Sequence, residues 1–166
     1  MIQLLQGNII HQAADALVNA ANAQLMGGGG VDGAIHGAGG ASIMAELRSR
    51  YPQGCPTGSA VITGAGALKA KYVIHAVGPM WFGGDSGERE DLASAYRSSL
   101  ELALKHGCRT VVFPSISTGV YDFPLELAAP IALTTVRNYV SEHPHFDWIR
   151  FVLFDGDTLA AYESHV

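Results

Sequence analysis

Hydrophobic and polar positions follow two periods along this chain, one suited to strands and one to helices. Residues 2–5 read as a short strand with a turn at Gly7-Asn8. Ala16-Leu17-Val18 is a second apolar run, which stops at the polar Asn19-Ala20-Ala21-Asn22. A glycine-dominated loop follows. From Ala34 to about Arg50 the spacing of Ile35, Ile43, Met44 and Leu47 predicts one helix ended by Pro52. Gly37, Gly39 and Gly40 weaken its first half by about 1 kcal/mol each relative to alanine, which points to close packing there. Residues 60–63 and 72–77 read as strands around Gly64-Ala65-Gly66, the second ended by Gly78-Pro79, and residues 83–87 as a surface loop.

Residues 90–105 form a strongly amphipathic helix, with Leu92, Ala95, Tyr96, Leu100, Ala103 and Leu104 on one face and Gly107 as its C-cap. Residues 110–113 are a β-branched buried strand ended by Pro114, and a loop of small and aromatic residues runs to 123. Pro130 lacks an N–H and is harmless only in a first helical turn, so the next helix starts no earlier than about 126 and runs to about 141. Residues 148–154 read as a last strand and 158–163 as a short closing helix. This alternation predicts an α/β fold: a three-layer α/β/α sandwich with a central mixed, mostly parallel sheet.

Composition narrows the class. A length of 166 residues fits one domain, residues 1–166, with a single continuous core. With 48% apolar and 15% charged residues the chain is too hydrophobic for intrinsic disorder. Its longest apolar runs fall far short of the roughly 20 residues that span a bilayer, and no basic start with an apolar stretch marks a signal peptide. A cytoplasmic monomer with no membrane association is the expectation. Ten basic against fifteen acidic residues give a net charge of −5 with no basic cluster, which argues against direct nucleic-acid binding. Cys55 and Cys108 form no CxxC pair and read as free thiols. His143 and His145 flank Pro144 without a third ligand, so no metal or other cofactor is expected.

Ligands of such sheets gather beyond the carboxyl ends of the strands, where residues 19–32, 115–123 and 154–157 are expected to meet. Positions 27–40 hold eight of the chain's 20 glycines. A flexible linker explains glycines in general, but this run lies between a buried strand and a helix opening Val31-Asp32-Gly33-Ala34-Ile35-His36. There glycines let the backbone approach a ligand and aim several N–H groups at an anion, a diphosphate above all. The run lacks the Lys-Ser/Thr of a P-loop and the spacing of a dinucleotide fingerprint. Ser117-Thr118-Gly119-Val120-Tyr121 offers hydroxyls, a glycine and an aromatic for the other side of the same group, unless it is an ordinary connection capped by Tyr121.

Asn19-Ala20-Ala21-Asn22, the stretch from Gly27 to His36, and Ser117-Thr118-Gly119-Val120-Tyr121 together resemble the macrodomains, and among them the MacroD type, in order along essentially the whole chain. The resemblance implies ADP-ribose bound across the end of the sheet. It also implies a hydrolase of ADP-ribosyl esters that removes mono-ADP-ribose from acidic residues of proteins and deacetylates O-acetyl-ADP-ribose. By the same resemblance Asn22 bonds the distal ribose hydroxyls and Asp32 acts on the attacking water. Gly29, Gly30, Val31 and the loop of Ser117, Thr118, Gly119, Val120 and Tyr121 hold the diphosphate, with Tyr121 near the distal ribose. Asn8 and Ile9 occupy adenine-contact positions, Phe154 packs on the base, and His36 steadies Asp32 or the loop. Asn8 stands where the family usually has Asp, Gly37 where it has a basic residue, and Asp122 where it has glycine. The competing readings are an ADP-ribose reader without chemistry and a regulatory module acting through protein contacts.

Overall fold

The computed structural model describes residues 1–166. Six strands form one sheet: β1 (Ile2–Gln6), β2 (Ala14–Ala21), β3 (Ala60–Gly64), β4 (Ala70–Val77), β5 (Thr110–Phe113) and β6 (Trp148–Leu153). Their order is β1-β6-β5-β2-β4-β3, and all neighbours are parallel except β3, which runs against β4. The helices are α1 (Gly30–Gly39), α2 (Ala41–Arg50), α3 (Glu88–Lys105), α4 (Leu125–Glu142) and α5 (Gly156–Glu163), with a single 3-10 turn at Ile9–His11. None is long and apolar enough to cross a membrane.

Side chains alternate across a strand, so the sheet divides the buried residues into two clusters where one continuous core was expected. Leu17, Val73 and Val77 meet Ile35, Ile43 and Leu47 of α1 and α2. Ala16, Val18, Ile74 and Ala76 meet α3, α4 and α5 on the opposite face. Both faces are covered, as a mostly parallel sheet requires. The neighbours β2 and β5 therefore send their following helices, α1 and α4, to opposite faces. That reversal opens a crevice at their carboxyl ends.

Several boundaries differ from the periodicity. Strand β2 continues through Asn19 to Ala21, because Asn19 is wholly buried with polar partners. The single helix expected over 34–50 starts earlier and breaks in two at Gly40, whose φ of 90° is open to glycine and ends α1. Helix α4 starts at Leu125, which puts Pro130 in its second turn. Strand β6 ends at Leu153, leaving Phe154 outside it, and α5 begins at Gly156 because the Asp155 side chain accepts from the Thr158 amide at 2.9 Å. Helix α3 does close on Gly107: its amide bonds Leu104 and the next amide, of Cys108, bonds Ala103.

Packing explains Gly39, since a Cβ there would run into the Ile43 side chain and press on Leu68 and the Ala65 carbonyl. Gly37 faces open space, and nothing in the structure explains it.

Candidate active site

A cleft of about 280 Å³ lies at the crevice between β2 and β5. Gly28, Gly29, Gly30, Val31 and Asp32 form one wall, and Ser115, Ile116, Ser117, Gly119, Val120 and Tyr121 the other. Ala20, Ala21 and Asn22 at the end of β2, with Gly78 after β4, complete it.

The first wall is folded by Asn22. Its Nδ2 donates to the Gly27 carbonyl at 3.0 Å and its Oδ1 accepts from the Met26 amide at 3.1 Å. Leu25, at φ 56°, makes the reversal between them. A Cβ at Gly33 would stand 2.6 Å from the Gly28 carbonyl oxygen, so only glycine lets the loop lie against α1. Gly29 caps that helix, and the amides of Gly30, Val31 and Asp32 in its first turn have no carbonyl four residues back.

In the loop of the second wall five consecutive amides, Ser117 to Tyr121, donate no hydrogen bond within the chain. It is closed by Phe123 donating to Ser117 and Asp122 donating to Gly119, each at 3.0 Å, with Ser117 and Asp122 at positive φ. Two fully buried tyrosines brace it from below. Tyr162 donates to Ser115 Oγ at 2.9 Å, and the Tyr96 hydroxyl accepts from the Ile116 amide at 2.9 Å. Burial raises the pKa of both phenols and so keeps both hydroxyls neutral, Tyr162 as donor to the wall and Tyr96 as acceptor from it. Gly78 is required because any Cβ there would collide with Ser117 Oγ and the Ile116 side chain.

The Tyr121 end is supported from the side. The Trp81 amide donates to the Tyr121 carbonyl at 2.8 Å, and the Trp81 ring lies 4.8 Å from that of Phe123. Glu88, almost wholly buried, anchors the segment after Trp81 by accepting from the amides of Phe82, Gly84 and Ser86. Those bonds, led by Phe82, bring its pKa down to about 2.

Asp32 is 6% exposed. Its Oδ1 accepts from Asn19 Nδ2 at 2.7 Å and lies 3.3 Å from His36 Nε2, one helical turn on. Its Oδ2 is turned toward Gly28 and the cleft. Behind Asn19, and out of the cleft, stand His75 and Thr63. Three buried side-chain atoms have no partner: Asn19 Oδ1, His36 Nδ1 and Ser117 Oγ. The last lines the cleft, and the other two lie beside Asp32.

The structure thus brings together Asn22, Gly29, Gly30, Val31, Asp32, Ser117, Gly119, Val120 and Tyr121. It places others outside the cleft lining. Thr118 turns its hydroxyl to Ser115 Oγ at 2.8 Å. Asn8 caps the 3-10 turn, its Oδ1 accepting from the Ile10 amide at 3.2 Å, and Ile9 is buried in the core on the α1 side. Phe154 is 78% exposed. These last three stay close along the same edge, since β1 pairs with β6 and the Gly7 amide bonds the Leu153 carbonyl at 2.9 Å. Sequence reasoning missed the roles of Asn19, His75, Thr63, Gly78 and the two tyrosines. The signal for the first three was polar side chains inside apolar strands, which demand buried partners.

The family profile of the Macro domain matches residues 18–132. The chain is 58% identical over 165 residues to a macro domain-containing protein of Caldanaerobacter subterraneus subsp. tengcongensis, covering 98% of this chain and 94% of that one. It is 51% identical over 164 residues to the O-acetyl-ADP-ribose deacetylase of Enterobacter cloacae subsp. cloacae, covering 98% and 91%. The crystal structure of the Trypanosoma brucei macrodomain in complex with ADP-ribose superposes with a TM-score of 0.92 at 41% identity, over 98% of this chain and 68% of that one. The sheet order, the two amide-lined walls and these matches agree: the chain belongs to the macro domain family.

Proposed function

We propose that this protein binds ADP-ribose in the cleft and hydrolyses its esters, deacetylating O-acetyl-ADP-ribose and releasing mono-ADP-ribose from acidic side chains of proteins. The observation that carries this reading is the position of Asp32, a nearly buried carboxylate on the first of two walls of unpaired amides. Amides supply fixed partial positive charge for a diphosphate without a cationic side chain, which suits a chain of net charge −5. A deacetylase and an ADP-ribose complex among the similar proteins support the choice of ligand.

In this reading the diphosphate lies between the first turn of α1 and the loop from Ser117 to Tyr121, which leaves the distal ribose near Asn22, Asp32 and Tyr121. Water attacks the ester carbonyl while Asp32 Oδ2 accepts its hydrogen bond. The ester C–O bond breaks, the acyl group leaves as a carboxylic acid and the ribose hydroxyl regains a proton. Rate comes chiefly from holding water and ester in register.

The test is incubation of the protein with O-acetyl-ADP-ribose and, separately, with a protein ADP-ribosylated on glutamate. Release of ADP-ribose from both is expected. Tight binding of ADP-ribose with no release from either establishes a reader in its place.

A further inference from the structure

Resting on the hydrolase reading above, we infer that Asn19, His75 and Thr63 form a positioning relay that orients the Asp32 carboxylate for turnover. Register brings them together. Asn19 of β2 and His75 of β4 are direct partners in the parallel pair, and Thr63 of β3, opposite Val73, is diagonal to His75. Asn19 alternates with Leu17 and Ala21, and His75 with Val73 and Val77, all in the cluster under α1. Asp32 and His36 look down onto that face from α1 itself, four residues apart.

Donor and acceptor counting fixes the direction of every bond. A carboxylate only accepts, so Asn19 presents its NH2 group to Asp32 Oδ1 at 2.7 Å. The second hydrogen of that group meets His75 Nδ1 at 3.1 Å, which therefore carries the lone pair. The His75 proton is then on Nε2 and is donated to Thr63 Oγ1 at 3.0 Å, and the Thr63 hydroxyl donates to the Gly64 carbonyl at 2.8 Å. Turning the Asn19 amide over would set its oxygen 2.7 Å from the carboxylate oxygen, acceptor against acceptor. The relay has one consistent arrangement, and it leaves Oδ2 for the cleft.

Two further observations support it. Burial, helped by the neighbouring His36, lowers the pKa of His75 to about 3, so the ring stays neutral through the working range of pH. Asn19 Oδ1 and His36 Nδ1 are left without partners. A polar cluster kept for stability would satisfy these atoms or give way to apolar packing. Their concentration around one carboxylate points to turnover. None of the three relay residues lines the cleft, so they act through Asp32 rather than on substrate.

The experiment compares Thr63→Val with Thr63→Ser, and His75→Leu with His75→Gln. Each is measured for kcat and KM on O-acetyl-ADP-ribose, for ADP-ribose affinity by calorimetry, and for the imidazole tautomer of His75, where it is present, by nitrogen NMR. Thr63→Val keeps the side-chain shape and removes the acceptor for Nε2–H. A roughly tenfold fall in kcat with KM and ADP-ribose affinity unchanged is expected, together with a shifted Nε2–H resonance, since Asn19 still holds the proton on Nε2 while its acceptor is gone. Thr63→Ser restores both. His75→Leu lowers kcat on the order of a hundredfold, and His75→Gln, which can accept and donate in the same places, recovers most of it. Unchanged kcat in Thr63→Val, or an Nδ1–H tautomer in the wild-type protein, overturns the relay. Absence of turnover in the wild type overturns the hydrolase reading instead, and the tautomer measurements then still decide whether the chain of hydrogen bonds exists.

Discussion

The carboxamide of Asn22 grips the glycine loop at two points, donating to the Gly27 carbonyl at 3.0 Å and accepting from the Met26 amide at 3.1 Å. Both polar atoms therefore shape the first wall of the cleft before any ribose arrives. Each such bond contributes about 1 kcal/mol. Asn22→Ala is expected to weaken ADP-ribose binding roughly tenfold in calorimetry, in addition to slowing hydrolysis. Affinity equal to wild type would show that the loop holds its shape without Asn22.

Gly33 and Gly37, one helical turn apart, predict opposite outcomes. A Cβ at 33 would stand 2.6 Å from the Gly28 carbonyl oxygen and must displace the wall, whereas a Cβ at 37 meets nothing within 4 Å. Gly33→Ala should lower ADP-ribose affinity at least tenfold. Gly37→Ala should leave affinity unchanged and stabilise the fold by up to about 1 kcal/mol, visible as a rise of roughly 2–4 °C in Tm. A lower Tm for Gly37→Ala would reveal a constraint on that position that packing does not show.

Much of this was legible along the chain. The period of apolar residues located every strand and nearly every helix, and the two glycine-bearing loops were placed together because parallel strands bring their carboxyl ends to one edge. What stayed hidden was tertiary. Asn19 reads as a strand terminator because carboxamides favour turns. It continues β2 because His75, 56 residues further on, becomes its register partner. Gly40 reads as one more weak helical position until its φ of 90° shows a break between α1 and α2. Asn8 and Phe154 are adenine-contact positions by resemblance alone; in the folded chain Asn8 makes a local capping bond and Phe154 is exposed on the same edge.

Stability should depend on pH in two stages. His75 has a folded pKa of about 3 against an ordinary value of 6.5. Below pH 6.5 the unfolded chain takes up a proton that the folded chain refuses, so stability falls with pH until about 3. Glu88, at about 2 folded against 4.5, adds a second loss that starts near 4.5 and ends near 2. Glu46 and Asp155, also lowered, act in the same direction as Glu88. A Tm that declines below pH 6.5 and more steeply below 4.5 is expected, with the upper decline reduced in His75→Gln and the lower one in Glu88→Gln. A flat Tm between 6.5 and 4.5 would contradict the neutral burial of His75.

The most direct measurement is Asp32→Ala assayed side by side for ADP-ribose binding and for release of acetate from O-acetyl-ADP-ribose. Removing the carboxylate takes nothing from the amides of either wall, so affinity should stay within a few-fold of wild type while turnover drops on the order of a hundredfold or more. Turnover that survives the substitution would show that the buried carboxylate is a structural group and that the chemistry is done elsewhere.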